Sequence, residues 1–159
     1  MAPSHSLMGF SRVMSAQPKQ DLVNLESVRK MEAFLSQLEQ VDLSTANLVH
    51  GGMCARTILI PAGTALVGAL TNRDSICVMY GDTIFTTDEG AVRKTGYHVI
   101  PANAGYKRGG VAITDTYWTA IWPTSLTDII DIENEMTDES AMLQTRRALP
   151  FNQHKALEK

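Results

Sequence analysis

The sequence predicts a mainly β domain, an antiparallel sandwich or barrel, with one helix before it and helical segments after it. Three observations carry this. From Ala46 to Thr124, short β-prone runs alternate with Gly, Pro, Asn and Asp turns. No gaps with helical period separate those runs, which disfavours alternating strand–helix units around a parallel sheet. Before them, residues 21–40 place Leu22, Leu25, Val28, Met31, Leu35 and Leu38 three and four apart, the spacing of one helix face.

Residues 1–20 come first in the chain, with scattered Ser, Gly and Pro among Met8, Phe10, Val13 and Met14. They read as a terminal tail or as an arm with apolar anchors for a neighbouring subunit. The helix over 21–40 follows, capped by Asp21 or Asn24, with Phe34 widening its stripe. Such a stripe must bury itself, either on the domain's own sheet or on a partner copy, and both options stand open. Strands are expected near 46–49, 53–60, 65–70, 75–80, 83–87, 91–93, 96–100, 110–114 and 116–122. Gly51-Gly52, Pro61-Ala62-Gly63, Gly81-Asp82, Asp88-Glu89-Gly90 and Ala104-Gly105 punctuate them as turns. Gly109-Gly110 reads as a sharp bend. Residues 125–136 read as an acidic helix capped by Ser125 or Thr127, and residues 138–149 as a second helix ended by Pro150. The last residues, 150–159, read as a soluble end in which Phe151 is a candidate anchor.

Composition narrows the function classes. The chain has 159 residues, enough for one domain with terminal extensions and a core that needs no disulfide or metal staple. Charged residues make up 19%, below the roughly 25% of a typical domain. The formal net charge of -3 disfavours a duplex binder, which needs a concentrated basic face. Cys54 and Cys77 lie in apolar stretches and read as reduced core residues. No apolar run is long enough to span a bilayer, and the N-terminus has no signal-peptide pattern, so a non-membrane protein made in cytoplasm is expected.

The turns and strands form an ordered series. Leu59 to Gly68 (LIPAGTALVG), Val78 to Thr83 (VMYGDT) and Val99 to Gly110 (VIPANAGYKRGG) precede the strand Asp115 to Thr124 (DTYWTAIWPT). Together with the acidic helix that follows, residues 48–136 resemble the cupin-like (RmlC-like) jelly-roll proteins, in particular the small ones often encoded by tailed bacteriophages. The resemblance implies a jelly-roll fold. A metal-binding cupin needs converging imidazoles and usually a carboxylate inside the barrel. In the family a histidine cluster follows the segment matched by Gly68. Here that stretch reads Thr71-Asn72-Arg73-Asp74-Ser75. Trp122 stands where a later histidine is expected, with Trp118 nearby. The resemblance therefore implies the scaffold without its usual metal, and no metal or other cofactor is expected.

Candidate pocket residues remain. His5, His50, His98 and His154 form no ligand-spaced pair, and His98 alone lies in a strand that can face a cavity. Arg73 and Asp74 point to opposite faces of a regular strand, so an inward Arg73 needs an anionic partner and an inward Asp74 can serve as a base. Trp118 and Trp122 share a face and fill the core, a subunit contact or a ligand platform. Lys107 and Arg108, beside Tyr106, read as a solvated turn or a small anion or carbohydrate contact. No GxSxG elbow, phosphate loop, HExxH or dinucleotide fingerprint is present, and no catalytic residue is assigned. The leading expectation is a non-enzymatic structural or adaptor protein of a tailed-phage virion, in its tail, collar or head decoration. It would be assembled in host cytoplasm and work through homo-oligomer contacts and other virion proteins. The alternative is a small cupin enzyme or carbohydrate-binding module with a metal-free pocket.

Overall fold

The computed structural model describes residues 22–146 and 153–156. The order is α1 (Leu22–Leu35), β1 (Ser44–His50), β2 (Met53–Ile60), β3 (Ala65–Val67), β4 (Ser75–Thr87), β5 (Gly90–Ala102), β6 (Gly109–Ala112), β7 (Thr116–Pro123), α2 (Ile129–Met136) and β8 (Gln153–Ala156). The fold is mainly β, one curled sheet ordered β3-β6-β4-β7-β2-β1-β8, with β5 beside β4. Every described pairing is antiparallel except β1 with β8. No helix among the described residues is long and apolar enough to cross a membrane.

Four of the five turns lie where the sequence indicates, Pro61-Ala62-Gly63 and Ala104-Gly105 among them. Gly51 and Gly52 join β1 to β2 with φ of 58° and 74°, the doubly positive geometry that a tight hairpin needs and glycine supplies. Asp88 and Glu89 close the β4–β5 hairpin between Thr87 and Gly90.

The Gly81-Asp82 turn is a correction. Both residues lie inside one continuous β4, and Gly81 pairs with Gly96 inside an equally continuous β5. At this point β4 changes neighbour, from β7 beside Ile76–Tyr80 to β6 beside Thr83–Phe85. A Cβ on Gly81 would lie 2.4 Å from Thr116 Oγ1 and 2.8 Å from Thr116 Cα. Close packing against Thr116, not chain reversal, therefore requires the glycine. Gly109 and Gly110 likewise lie within β6, and a Cβ on Gly110 would lie 2.6 Å from Ile84 O.

Other boundaries shift for local reasons. Strand β3 ends at Val67 because the next backbone N–H groups bond elsewhere: Gly68 to Arg108 O, Leu70 to the Glu139 carboxylate, and Asn72 to Met136 O. Helix α1 ends at Leu35, and Asn24 does not cap it. Its side-chain amide donates to Thr87 O at 2.5 Å and ties the helix to the β4–β5 hairpin.

Helix α2 is shorter than expected. Its cap is Asp128, whose Oδ1 accepts from the N–H groups of Ile130 and Asp131, in place of Ser125 or Thr127. The second C-terminal helix is replaced by two short 3-10 turns, Ser140–Met142 and Gln144–Arg146. Within this segment Glu139 is bound to Lys107 and Arg146 to Glu133. Residues 150–159 are not simply a soluble end: Gln153–Ala156 form β8 along the edge of β1, with Asn47 opposite His154. An open strand edge offers unpaired backbone groups, and β8 covers this one. The expectations for residues 1–20, Asp21, residues 147–149, Pro150 and Phe151 lie outside the described residues.

The core is built on the inner face of the β1–β2–β7 sheet. Val49, Cys54 and Trp122 from the strands meet Ile132 and Met136 from α2, with Ala120, Leu126, Ile129 and Leu143 packed around them. Helix α1 covers the β3–β6 side. Val28 is buried there, and Met31 lies against Gly109. Leu25 and Leu35 are half-buried, while Phe34 and Leu38 are exposed. Part of the stripe is thus buried within the chain's own fold, and the side chain of Leu22 lies outside the described residues.

Candidate functional site

The inner face of the large sheet divides into two regions. Under α2, Trp122 is buried in the apolar core. Beside it the helix brings in Glu133, whose carboxylate accepts from Arg56 Nη1 at 2.7 Å and Arg146 Nε at 2.7 Å, and also from the Thr145 hydroxyl. Arg56 lies on the same sheet face, and α2 neutralises it there. A buried charge requires such a partner, and here two guanidinium groups serve one carboxylate.

The second region lies toward β4 and β6. Trp118 is half-buried and meets the Phe85 ring edge-on, with centroids 5.4 Å apart and planes at 80°. The Arg108 guanidinium lies over both Phe85, at 5.7 Å, and Tyr106, at 4.9 Å. Its Nη2 donates to Pro101 O at 3.1 Å. Its Nε and Nη1 are buried without a hydrogen-bond partner among the described residues. A guanidinium carries five N–H donors in its plane, so aromatic stacking leaves these edge donors unsatisfied. Tyr106 is fixed by its hydroxyl, which donates to Asp88 at 2.8 Å. Burial, with that bond, pushes the Tyr106 hydroxyl up to about 12.

Tyr106 and Lys107 are not a solvated turn. Lys107 is fully buried, with Nζ 2.8 Å from Glu32 on α1 and 2.6 Å from Glu139. Glu139 also accepts from Arg29 and from Leu70 N–H. Burial pushes the Glu139 carboxyl up, but the bonds from Lys107 and Leu70 outweigh it and hold the group below its ordinary value. This cluster ties α1, the loop before β6 and the C-terminal segment together.

The other candidate residues do not gather. Arg73 is exposed and pairs with Glu135. Asp74 is exposed and accepts from Ala104 N–H at 2.7 Å, which anchors a loop. His98 is half-buried, with Nε2 3.0 Å from Thr95 O in its own strand. Cys54 and Cys77 are buried free thiols. Burial is the main cause that raises both, Cys54 to about 11 and Cys77 above its ordinary value, which keeps them protonated and unreactive. Among the described residues no three His, Cys, Asp or Glu side chains come together as metal ligands.

Two open clefts lie elsewhere. One, of about 460 Å³, is bounded by α2 and Arg146; the other, of about 320 Å³, lies at the Gly81–Gly96 bend. None of Arg73, Asp74, His98, Trp118 or Trp122 lines either.

No known family model matches the sequence, and no curated protein does. Solved structures similar to the chain include a cupin superfamily protein from Desulfitobacterium hafniense, at 12% identity and a TM-score of 0.44, covering 57% of this chain and 86% of that one. An RmlC-like cupin family protein with a double-stranded β-helix fold, from Methanocaldococcus jannaschii, shares 13% identity with a TM-score of 0.44, over 55% of this chain and 92% of its own. KdgF from a Halomonas species shares 15% identity with a TM-score of 0.46, over 57% and 88%.

Proposed function

We propose that the chain is a small, non-catalytic, cupin-like protein that works by binding another molecule rather than transforming one. One observation carries this reading: α2 and Trp122 occupy the inner sheet face, where the resemblance would place converging metal ligands. The groups best suited to chemistry are committed to structure: Arg73 to Glu135, Asp74 to a loop N–H, and both thiols to the interior.

The finer setting is a structural or adaptor role in a tailed-phage virion, acting through copies of itself and neighbouring virion proteins. Its support is the resemblance of residues 48–136 to small phage cupin-like proteins. Particles purified by density gradient from the source of the gene test it. The chain at a fixed ratio to the major capsid protein supports the role; particles lacking the chain overturn it.

The orphaned donors of Arg108 favour a second reading, a small anionic ligand such as a sugar acid held against Tyr106, Phe85 and Trp118. Saturation-transfer NMR with phosphate, acetate and galacturonate tests both readings. A binding signal that is lost in Arg108→Gln, with the probe spectra unchanged after prolonged incubation, supports a non-catalytic ligand site. Silence from all three probes overturns the anion reading. New product signals that scale with protein concentration overturn the non-catalytic proposal.

A further inference from the structure

Among the described residues, nothing covers the sheet's other face. On β5, β4 and β7 the register places Tyr97, Tyr80 and Tyr117 in one row across three neighbouring strands. Val99 and Ile76 extend the same face below them. Tyr97 is 67% exposed, Tyr80 63% and Val99 58%, and Ile76 and Tyr117 are exposed as well. The face continues over β2 and β1 through alternate residues that end in Met53 and Leu48, both exposed.

Where the five strands run side by side, Ile76–Tyr80 on β4 and Tyr97–Pro101 on β5 with their partners on β7, β2 and β1, none of the residues on this face is Asp, Glu, Lys or Arg. Charge returns to the face only beyond Tyr80, where Asp82 and Arg93 pair with each other. By contrast, the β3–β6 side is covered by α1 and the inner face by α2. Apolar residues scattered singly need no explanation, but a contiguous face of this size does.

We infer that this face is a self-association surface, seated on the same face of a second copy of the chain. The inference goes beyond the binding reading above and does not depend on Arg108. Size is the first argument. Five strands about 4.8 Å apart, contributing about five to eight residues each at about 3.3 Å, span roughly 20 Å by 16 to 26 Å. With side-chain relief, that approaches the ~800 Å² per partner of a standard stable interface. Charge is the second argument. Residues near the axis of a two-fold contact meet their own copies, so a charge there would meet a like charge. The stretch shared by the five strands carries none, and it offers no charge to select a charged partner of a different kind. Shape is the third: two twisted sheets pack face to face at about 30°.

The test is the solution mass of the full chain by light scattering over a dilution series, with Tyr117→Lys, Tyr117→Glu and the milder Tyr97→Ser alongside. Near-UV circular dichroism checks that each variant keeps its packed core. The expected mass is twice the 17.4 kDa of the chain. Each charged variant falls to the single-chain mass, and mixing Lys with Glu restores the pair. Tyr97→Ser dissociates at higher concentration than the parent. A monomer at every concentration overturns the inference, as does an oligomer that all three variants leave intact. Retention of a monomeric chain on insoluble polysaccharide, lost in Tyr117→Lys, also overturns it and makes the tyrosine row a sugar platform. Dimerisation can fail while the NMR binding result stands, and the reverse, so the two proposals fail separately.

Discussion

Replacing Lys107 by Met tests the buried charge cluster that joins α1 to the C-terminal segment. Met keeps the length of the side chain and removes its ammonium group. Removing one partner of a buried ion pair typically destabilises by about 3–5 kcal/mol, because the other charge stays uncompensated. Two features place this site at the lower end. The Glu32 and Glu139 side chains keep 23% and 16% of their exposure, and Arg29 remains 3.0 Å from Glu139. The expected loss is about 3 kcal/mol, a fall in Tm of about 6–12 °C for a domain of this size. Urea and thermal unfolding measure it. The Glu139 carboxyl is held below its ordinary value in the folded state. Its contribution is therefore complete above the unfolded carboxylate value of about 4.3, and is lost as pH falls through the folded value. The gap between parent and variant is wide at neutral pH and narrows below about pH 4. A Tm within about 2 °C of the parent at neutral pH, or a gap that widens in acid, would refute the reasoning.

Other expectations follow from single sites. Gly81→Ala forces a Cβ into Thr116 and Asp115 O, so it destabilises by about 2 kcal/mol or more. Gly63→Ala, at φ +77° with nothing within 4 Å, loses only about 1 kcal/mol, and urea midpoints of the pair separate collision from backbone strain. Cys54, with its thiol near 11, and Cys77, also raised, stay unreactive to a thiol reagent near pH 8 in the folded chain. Both react at once in denaturant; rapid labelling of the folded chain would show that the thiols are not buried as described.

Much of the fold is legible from local pattern. The strand at 53–60 is read residue for residue, and the Gly51-Gly52 hairpin follows from glycine's access to positive φ. What local pattern misses is set by distant partners. Gly81 looks like a turn, yet its role depends on Thr116 across the sheet. Lys107 looks like a surface charge because its partner Glu139 lies 32 positions away. Four residues near the C-terminus become β8 because β1 offers an edge, which no local periodicity announces. At the site, the shared face of Trp118 and Trp122 is legible in the sequence, but the choice among core, contact and platform depends on α2, which covers Trp122. Arg73, Asp74 and His98 have the right chemistry for a pocket, but Arg73 and Asp74 lie in the loop before β4, not in a strand, and each of the three is bonded elsewhere.

The most direct test of the central claim, a cupin-like scaffold turned from metal chemistry to binding, is metal uptake. The purified chain is equilibrated with Mn²⁺, Fe²⁺, Ni²⁺ and Zn²⁺ in turn, passed through gel filtration, and its metal content is measured by mass spectrometry. The account expects no stoichiometric metal with any of them. About one ion per chain, lost in His98→Ala, would contradict it and make the strand histidine part of a working centre.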